Sequence, residues 1–202
     1  MTLEGVPTAR AAPDRSLPAV RLQSTGLDVL HCVVFPDPAA VGRDVPMFGC
    51  DLVAVKGQIT AAIVDLSPVT KEKVLADDYV AEFDRRAAPL VQFSSPRELP
   101  EFGKVIFSDR CQFIRPEGKE EESRFVKLCG EILALHCELA EKRLADKHDA
   151  VDVQEAVEGQ TFYCQKQSEN DKTRRILVQA FGAEWTDRYM SEVLFDEPPA
   201  SP

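Results

Sequence analysis

The sequence predicts an α/β protein in which helices cover both faces of a central antiparallel sheet. First, Pro46–Leu66 reads as two short apolar strands joined by a tight turn at Lys56–Gln58. Second, another apolar run, Leu27–Phe35, comes before these two strands and is joined to them by a short connection. Short connections between three successive strands favour an antiparallel meander over a βαβ unit. Third, apolar residues occupy both alternating positions of these strands. A sheet that is apolar on both faces must be covered on both faces.

The predicted elements follow in chain order. A disordered or loosely attached arm over residues 1–18 precedes a single domain over residues 19–196 and a free tail over residues 197–202. Besides the three strands above, we predict an edge strand at Ala19–Ser24 and short strands at Val105–Phe107 and Cys111–Ile114. Apolar spacing predicts these helices: Thr70–Ala87, capped by Thr70; Glu120–Leu144; Val151–Phe181, interrupted near Ser168–Asp171 and ended by Gly182; and Glu184–Leu194.

Composition narrows the classes of function. The 202 residues include 34 acidic and 24 basic side chains, a net charge of −10, which argues against nucleic acid or an anionic membrane surface as the main partner. No apolar run approaches about 18 residues, so no membrane span is expected. The sequence shows neither a secretory signal nor a glycine-rich phosphate loop. Its six cysteines are scattered without a C-x-x-C pair, which favours reduced thiols over disulfides or a zinc site.

His31 and Asp51 are the first candidates for chemistry. They lie near the middle of consecutive predicted strands, so that strand pairing would bring them within hydrogen-bonding distance. We expect Asp51 to lie in a place that excludes water, where desolvation raises the pKa of a carboxyl and lets it serve as a general acid. A buried salt bridge without catalytic function is the alternative, and the pattern alone favours it.

The polar segment Ser168–Arg175 is the second candidate. Ser168 with Asp171 three residues later resembles a capping box, which would make the segment a structural helix start. Alternatively, Asn170 and Asp171 stand at a helix break that faces a pocket, with Lys172 or the following arginines holding an anion. Arg97, which follows a proline in a loop, is suited to binding a carboxylate.

Several segments together resemble one known family, the ferredoxin-dependent bilin reductases. They occur in the family's order between about Gly26 and Asp196, and they are GLDVLHCVVFP, PMFGCDLVAVKGQITAAIVDLSP, RELPEFG, FSDRCQFIRP and YCQKQSENDKTRRILVQAFGAEWTDRYMSEVLFD. Several independent motifs in one order are far more specific than any single one. The resemblance is strongest to the branch that forms phycocyanobilin.

This resemblance implies a three-layer α/β/α sandwich with a central antiparallel sheet. It implies an oxidoreductase that binds biliverdin IXα between the sheet and the C-terminal helices and reduces it through bilin radicals to phycocyanobilin. Reduced ferredoxin would supply the electrons singly, with no permanently bound flavin, metal or nicotinamide. A monomer in a bacterial cytoplasm or a plastid stroma is expected.

The resemblance also assigns roles by position. His31, Asp51 and Asp171 match the catalytic groups of the family, with Asp51 as the central proton donor and His31 as its neighbour. The matching substrate-binding groups are Thr60, Arg97, Asn170 and Lys172, of which Thr60, Arg97 and Lys172 would hold the propionates.

One position departs from the family pattern. Phycocyanobilin-forming members carry a helical Glu shortly before the His-bearing strand, which they need to reduce the exovinyl group. That position falls at about Ala19, and no Glu stands between Glu4 and Glu72. The usual N-terminal region is also missing or shortened, so the sheet is expected to lack N-terminal strands. The alternative function is therefore a bilin-binding protein, non-catalytic or partially active, that yields a less reduced bilin.

Overall fold

A four-stranded antiparallel sheet forms the centre of the protein. The computed structural model describes residues 26–195, so the predicted N-terminal arm, the Ala19–Ser24 strand and the C-terminal tail lie outside the described residues. The strands are β1 (Leu27–Val34), β2 (Met47–Val55), β3 (Gln58–Ser67) and β4 (Gln112–Ile114). They lie in sequence order, and each is antiparallel to its neighbour. The predicted meander is confirmed.

Seven α-helices accompany the sheet within residues 26–195. They are α1 (Pro38–Val41), α2 (Asp77–Glu82), α3 (Glu101–Lys104), α4 (Gly118–Arg143), α5 (Ala150–Ser168), α6 (Asp171–Phe181) and α7 (Ala183–Tyr189). Single π-helical turns, Phe83–Ala87 and Met190–Leu194, continue α2 and α7. None of these helices is long and apolar enough to cross a membrane.

A two-residue turn sets the register of the β2–β3 hairpin. Lys56 and Gly57 both adopt positive φ angles, 51° and 76°, as a type I′ turn requires. The register shifts between Val53 and Ala54, where Thr60 on β3 has no direct partner. This bulge bends the hairpin close to the turn.

The first helical layer packs α2 and α4 against one face of the sheet. Phe48 and Val64 contribute from the strands, Tyr79 contributes from α2, and Phe125 and Leu135 contribute from α4. All five side chains are at most 2% exposed. The apolar stripe of α4 therefore stabilises the sheet as its spacing predicts.

The second layer packs the C-terminal helices against the opposite face. Val33 and Met47 contribute from the strands, Tyr163 contributes from α5, Leu177 contributes from α6 and Tyr189 contributes from α7. Met47 and Phe48, which are consecutive, thus enter different cores, because successive strand residues point to opposite faces. The predicted three-layer α/β/α architecture with a central antiparallel sheet is confirmed.

Two local predictions are wrong. The helix predicted from Thr70 begins only at Asp77, and Thr70 does not cap it, because Lys73 takes a positive φ of 56° that interrupts helical geometry. Val105–Phe107 is a turn after α3 and not a strand, because the Phe107 N–H donates back to the carbonyl of Gly103. The helix break between Ser168 and Asp171 and the helix end at Gly182 are confirmed.

Candidate active site

Strand register places His31 directly opposite Asp51. The two residues are paired across β1 and β2, on the face that the C-terminal helices cover. Opposed side chains on one face of an antiparallel pair are close enough to bond. The Nδ1 atom of His31 donates a hydrogen bond to Oδ1 of Asp51. The structure therefore brings these two predicted site residues together.

The environment of His31 favours its protonated form. Burial alone lowers the pKa of His31, but the negative charge of Asp51 and the hydrogen bond to it outweigh burial, and the pKa is raised above 6.5. The ring lies edge-on to Phe195, with a centroid distance of 5.9 Å. Its second nitrogen, Nε2, is buried and has no hydrogen-bond partner in the structure. This nitrogen is available to a bound molecule.

Asp51 does not lie in a dry environment, so that expectation is wrong. Its side chain is 38% exposed, whereas that of His31 is 13% exposed. Alternating apolar residues predict that a face is covered, but they do not say how far the covering helices extend. Around Asp51 this cover stops short, and the carboxylate borders an opening.

Half-buried apolar side chains surround Asp51 on the same face of the sheet. They form a surface that we call the open strip, and its members are Val29, Val53, Ala61, Ile63 and Phe113. None of the five belongs to either cluster of packed apolar side chains within residues 26–195. An apolar surface of this kind, with a few polar groups beside it, is typical of small-molecule sites.

Arg97 and Thr60 meet at the edge of the open strip. The guanidinium of Arg97 lies over the ring of Phe113, 5.1 Å from its centroid, and its Nη1 donates to the carbonyl of Thr60 at 3.4 Å. The Thr60 hydroxyl donates to the carbonyl of Val53 at 3.2 Å. Arg97 is exposed and has no carboxylate partner among the described ion pairs, so its charge can still hold an anion.

The α5–α6 break has a different cap from the one that the sequence suggests. Ser168 ends α5 and donates to the carbonyl of Cys164, so the proposed capping box is wrong. Asn170 caps α6 instead, accepting from the N–H of Thr173 at 3.4 Å. Asp171 is exposed, and no hydrogen bond among the described residues joins it to His31 or Asp51. Lys172 lies in α6, but its side chain lies outside the described part of the chain.

A buried polar cluster beside the pair escaped the sequence interpretation. Asp65, 2% exposed, accepts hydrogen bonds from both the N–H and the hydroxyl of Ser108 and from the hydroxyl of Ser67. Burial raises the pKa of Asp65 to about 6, although these hydrogen bonds oppose the shift. Tyr163, whose hydroxyl accepts from Gln167 at 2.9 Å, reaches the same region above Gly49. The sequence did indicate the position of Asp65. Asp65 lies two positions after Ile63 on the same strand, so it points to the same face of the sheet as Ile63, which pairs with Asp51.

A separate cavity of about 190 Å³ lies away from this site. Its lining includes Arg43, Pro46, Pro68 and Thr70 but no residue of the open strip. Arg43 is occupied by ion pairs with the acidic side chains of α5. The positive charge of Arg43 is therefore already paired, and the His31–Asp51 pair remains the better candidate. No group of three or more potential ligands within residues 26–195 could hold a metal ion.

Comparison with known proteins identifies relatives. A sequence model described as ferredoxin-dependent bilin reductase matches residues 15–196. Phycocyanobilin:ferredoxin oxidoreductase of Trichodesmium erythraeum is 45% identical over 173 residues, which cover 85% of this chain and 67% of the relative. The enzyme of the same name from Synechococcus elongatus is 48% identical over 172 residues, which cover 85% of this chain and 66% of the relative. The chain thus spans about two thirds of the length of these relatives.

A solved structure shares the fold. Tomato phytochromobilin synthase, crystallised in complex with biliverdin, superposes with a TM-score of 0.73 at 18% sequence identity. The superposition covers 92% of this chain and 66% of that chain. At this identity the likeness concerns the fold alone.

Proposed function

Because the chain belongs to the family of ferredoxin-dependent bilin reductases, we propose that it reduces biliverdin IXα to phycocyanobilin with electrons from reduced ferredoxin. One observation carries the proposal. The His31–Asp51 pair borders an open apolar strip, and the buried Nε2 of His31 lacks a partner. A flat, conjugated tetrapyrrole has the apolar surface to cover that strip and the polar ring edges to meet the pair.

The pair would supply protons at the point where electrons arrive. Biliverdin gains four electrons and four protons on the way to phycocyanobilin, and since ferredoxin donates singly, the bilin passes through radical states. The raised pKa of His31 keeps a proton available near neutral pH, and Asp51 holds the imidazole in position. Asp51, which is partly exposed, would face the pyrrole nitrogens and lactam oxygens and would pass to them the proton that it takes from His31.

Other residues would position the substrate. Arg97 and Thr60, which meet at the edge of the strip, would hold a propionate. From the α6 start, Asn170 and Asp171 would face the bilin on its second side, and Lys172 would bind the other carboxylate. Because no hydrogen bond among the described residues joins the α6 start to the His31–Asp51 pair, this part of the proposal rests on the family resemblance.

Anaerobic turnover with biliverdin and photoreduced ferredoxin, followed by chromatography of the bilins, tests the proposal. Asp51→Asn should bind biliverdin, shifting its absorption, yet form product at least tenfold more slowly. Asp109→Asn, an exposed acid that pairs with Arg110, is the matched control and should turn over normally. Full activity of the Asp51→Asn variant would remove Asp51 as the proton donor.

A less reduced bilin is the second candidate product. The observation that favours it is the absence of any Glu between Glu4 and Glu72, where the family's phycocyanobilin branch has its helical Glu. The same turnover experiment separates the candidates. Phycocyanobilin as the final product supports the first, a two-electron-reduced bilin that accumulates supports the second, and bound but unchanged biliverdin indicates a bilin-binding protein without catalysis.

Ferredoxin would dock on a local basic patch, since ferredoxins are acidic and this chain also has a net negative charge. The candidate cations for this patch are Arg115, Lys119, Lys172, Arg174 and Arg175. Arg174 is paired with Asp187 and Lys119 with Glu122, whereas Arg115 has no described ion-pair partner. If docking is electrostatic, the rate with photoreduced ferredoxin should fall steeply with ionic strength, because the Debye length shortens from about 30 Å at 0.01 M to about 10 Å at 0.1 M salt. A flat salt profile would contradict this docking mode.

A further inference from the structure

Two thiols are in contact across the interface between the sheet and α4. The Sγ atom of Cys50 on β2 lies 3.4 Å from the Sγ atom of Cys129 on α4, to which it donates a hydrogen bond. Cys50 points to the face opposite the His31–Asp51 pair, so the proposed reaction does not use either thiol. All six cysteines of the chain are reduced in the structure.

We propose that Cys50 and Cys129 form an oxidisable dithiol, which a disulfide oxidant converts into a disulfide between β2 and α4. The two thiols differ in access, because Cys50 is 6% exposed whereas Cys129 is half-buried on the helix. The hydrogen bond to Cys129 and burial both raise the pKa of the Cys50 thiol, which disfavours its thiolate. Cys129 therefore reacts first.

The reaction proceeds by two exchanges. The thiolate of Cys129 attacks one sulfur of the oxidant, such as glutathione disulfide, which forms a mixed disulfide and releases one glutathione. The sulfur of Cys50 then attacks the Cys129 sulfur, releasing the second glutathione and the proton of its own thiol. Two protein thiols are oxidised and one glutathione disulfide is reduced to two glutathiones.

A third cysteine provides the competing partner. Cys32 lies directly opposite Cys50 in the β1–β2 register and packs against the same apolar cluster. Burial, and then the proximity of Cys50 and Asp51, raise the pKa of Cys32 to about 11. The direct contact of Cys50 is with Cys129, so the geometry favours the link between strand and helix over the link between strands.

The disulfide would change both stability and geometry. It would close a long loop of the unfolded chain, which lowers the entropy of the unfolded state and stabilises the fold. It also requires the two sulfurs to move from 3.4 Å to about 2.05 Å apart. Because Cys50 immediately precedes Asp51, this movement acts on the strand that carries the candidate acid.

Oxidation of the full chain with glutathione disulfide tests the proposal. After alkylation of the remaining thiols, intact mass and peptide mapping should show the loss of two hydrogens and a peptide that links Cys50 to Cys129. The oxidised protein should unfold several degrees higher than the reduced protein, and dithiothreitol should reverse the shift. A lasting glutathione adduct without a link, a Cys32–Cys50 link, or no reaction would each overturn the proposal.

Matched variants on α4 isolate the pair. Cys129→Ala should abolish both the link and the stabilising shift, while Cys137→Ala, at an exposed position of the same helix, should retain both. The peptide map of the oxidised chain without substitutions is obtained independently of both variants. It therefore still tests the proposal if one of the variants fails to fold. Equal linking in both variants would overturn the assignment of Cys129.

Discussion

At the scale of single residues, His31 illustrates how one partner reverses the effect of burial. An imidazole with 13% of its surface exposed would ordinarily lose its proton more easily than in water. The carboxylate of Asp51 reverses the direction, and the pKa of His31 is raised. The pair thus adds stability below about pH 6.5, and this contribution is lost as the pH rises through the raised pKa of the folded state.

Removing the carboxylate charge should reverse the pKa shift of His31. In Asp51→Asn the burial of the ring remains but the charge is gone, so we expect the pKa of His31 to fall below 6.5. NMR titration of the imidazole carbon-bound protons measures it, with His31→Gln used to assign the resonance. His136, which is buried on the other face with its pKa lowered to about 4, serves as internal control and should not move. An unchanged pKa of His31 would show that Asp51 does not control it.

Asp65 should make the fold less stable as the pH rises. Its pKa increases from 3.8 in the unfolded chain to about 6 in the fold, so the folded state binds the proton more tightly. Stability is therefore lost between about pH 4 and pH 6, by an amount on the order of 3 kcal/mol. Asp78 and Glu155, whose pKa values are lowered, contribute with the opposite sign, so the difference between variants is the relevant quantity.

Urea unfolding across this pH range measures that difference. The stability of Asp65→Asn relative to the unmodified chain should increase as the pH rises from about 4 to about 6, because the amide does not ionise. Asp109→Asn, which alters an exposed acid, should run parallel to the unmodified chain. A constant offset for Asp65→Asn would mean that folding does not change the pKa of Asp65.

The sequence could predict the pair but not its surroundings. His31 and Asp51 share a face because strand alternation and a two-residue turn determine their register. The exposure of Asp51 depends on where the covering helices end, which is a tertiary property. The hydrogen bonds of Asp65 depend on Ser108, which is 43 positions away in the sequence, and no local pattern joins the two.

At the scale of elements, periodicity predicted the long segments well and the short ones poorly. The regular apolar spacing of α4 extends over 26 residues, so one irregular position changes little. The segment before α2 has good helix formers, yet a single positive φ at Lys73 prevents the helix from starting at Thr70. In short segments tertiary contacts outweigh propensity, because few local bonds oppose them.

Gly159 determines how closely α5 approaches the segment that follows β3. A Cβ added at Gly159 would lie 1.9 Å from the carbonyl oxygen of Val69, which is a severe overlap with backbone. We expect Gly159→Ala to destabilise the fold by about 1–3 kcal/mol through forced displacement of the helix, despite the higher helix propensity of alanine. Gly130→Ala on α4 is the matched control, since an added Cβ there has no neighbour within 4 Å.

Thermal or urea unfolding of the two variants gives the comparison. The control should be stabilised by up to about 1 kcal/mol, because alanine favours the helix more than glycine. Opposite signs for the two variants would confirm that close packing, and not helix propensity, dictates glycine at residue 159. If both variants were stabilised, the contact between α5 and Val69 would have to be looser than described.

At the scale of the whole molecule, the two faces of the sheet differ in how completely helices cover them. The face under α2 and α4 is densely packed and stabilises the fold. The opposite face is packed only at the end near Val33 and Met47, and the open strip is left beyond it. The three layers followed from the sequence because both strand parities are apolar. The unequal cover of the two faces could not be predicted from the sequence, because an apolar strip that a ligand covers has the same composition as one that a helix covers.

Binding of biliverdin to the open strip should therefore stabilise the entire fold. A ligand that binds only the folded state and is present at 100 times its dissociation constant adds about 2.7 kcal/mol to the free energy of unfolding, so the unfolding midpoint should rise with biliverdin concentration.

Val53→Glu places a negative charge in the strip, where it would repel the dicarboxylate ligand and oppose apolar contact, and it should abolish the rise. Val126→Glu, at an exposed position of α4 on the other side of the sheet, should preserve it. Circular dichroism melts of each variant without ligand first establish that it folds. Equal midpoint shifts in both variants would place biliverdin elsewhere on the molecule.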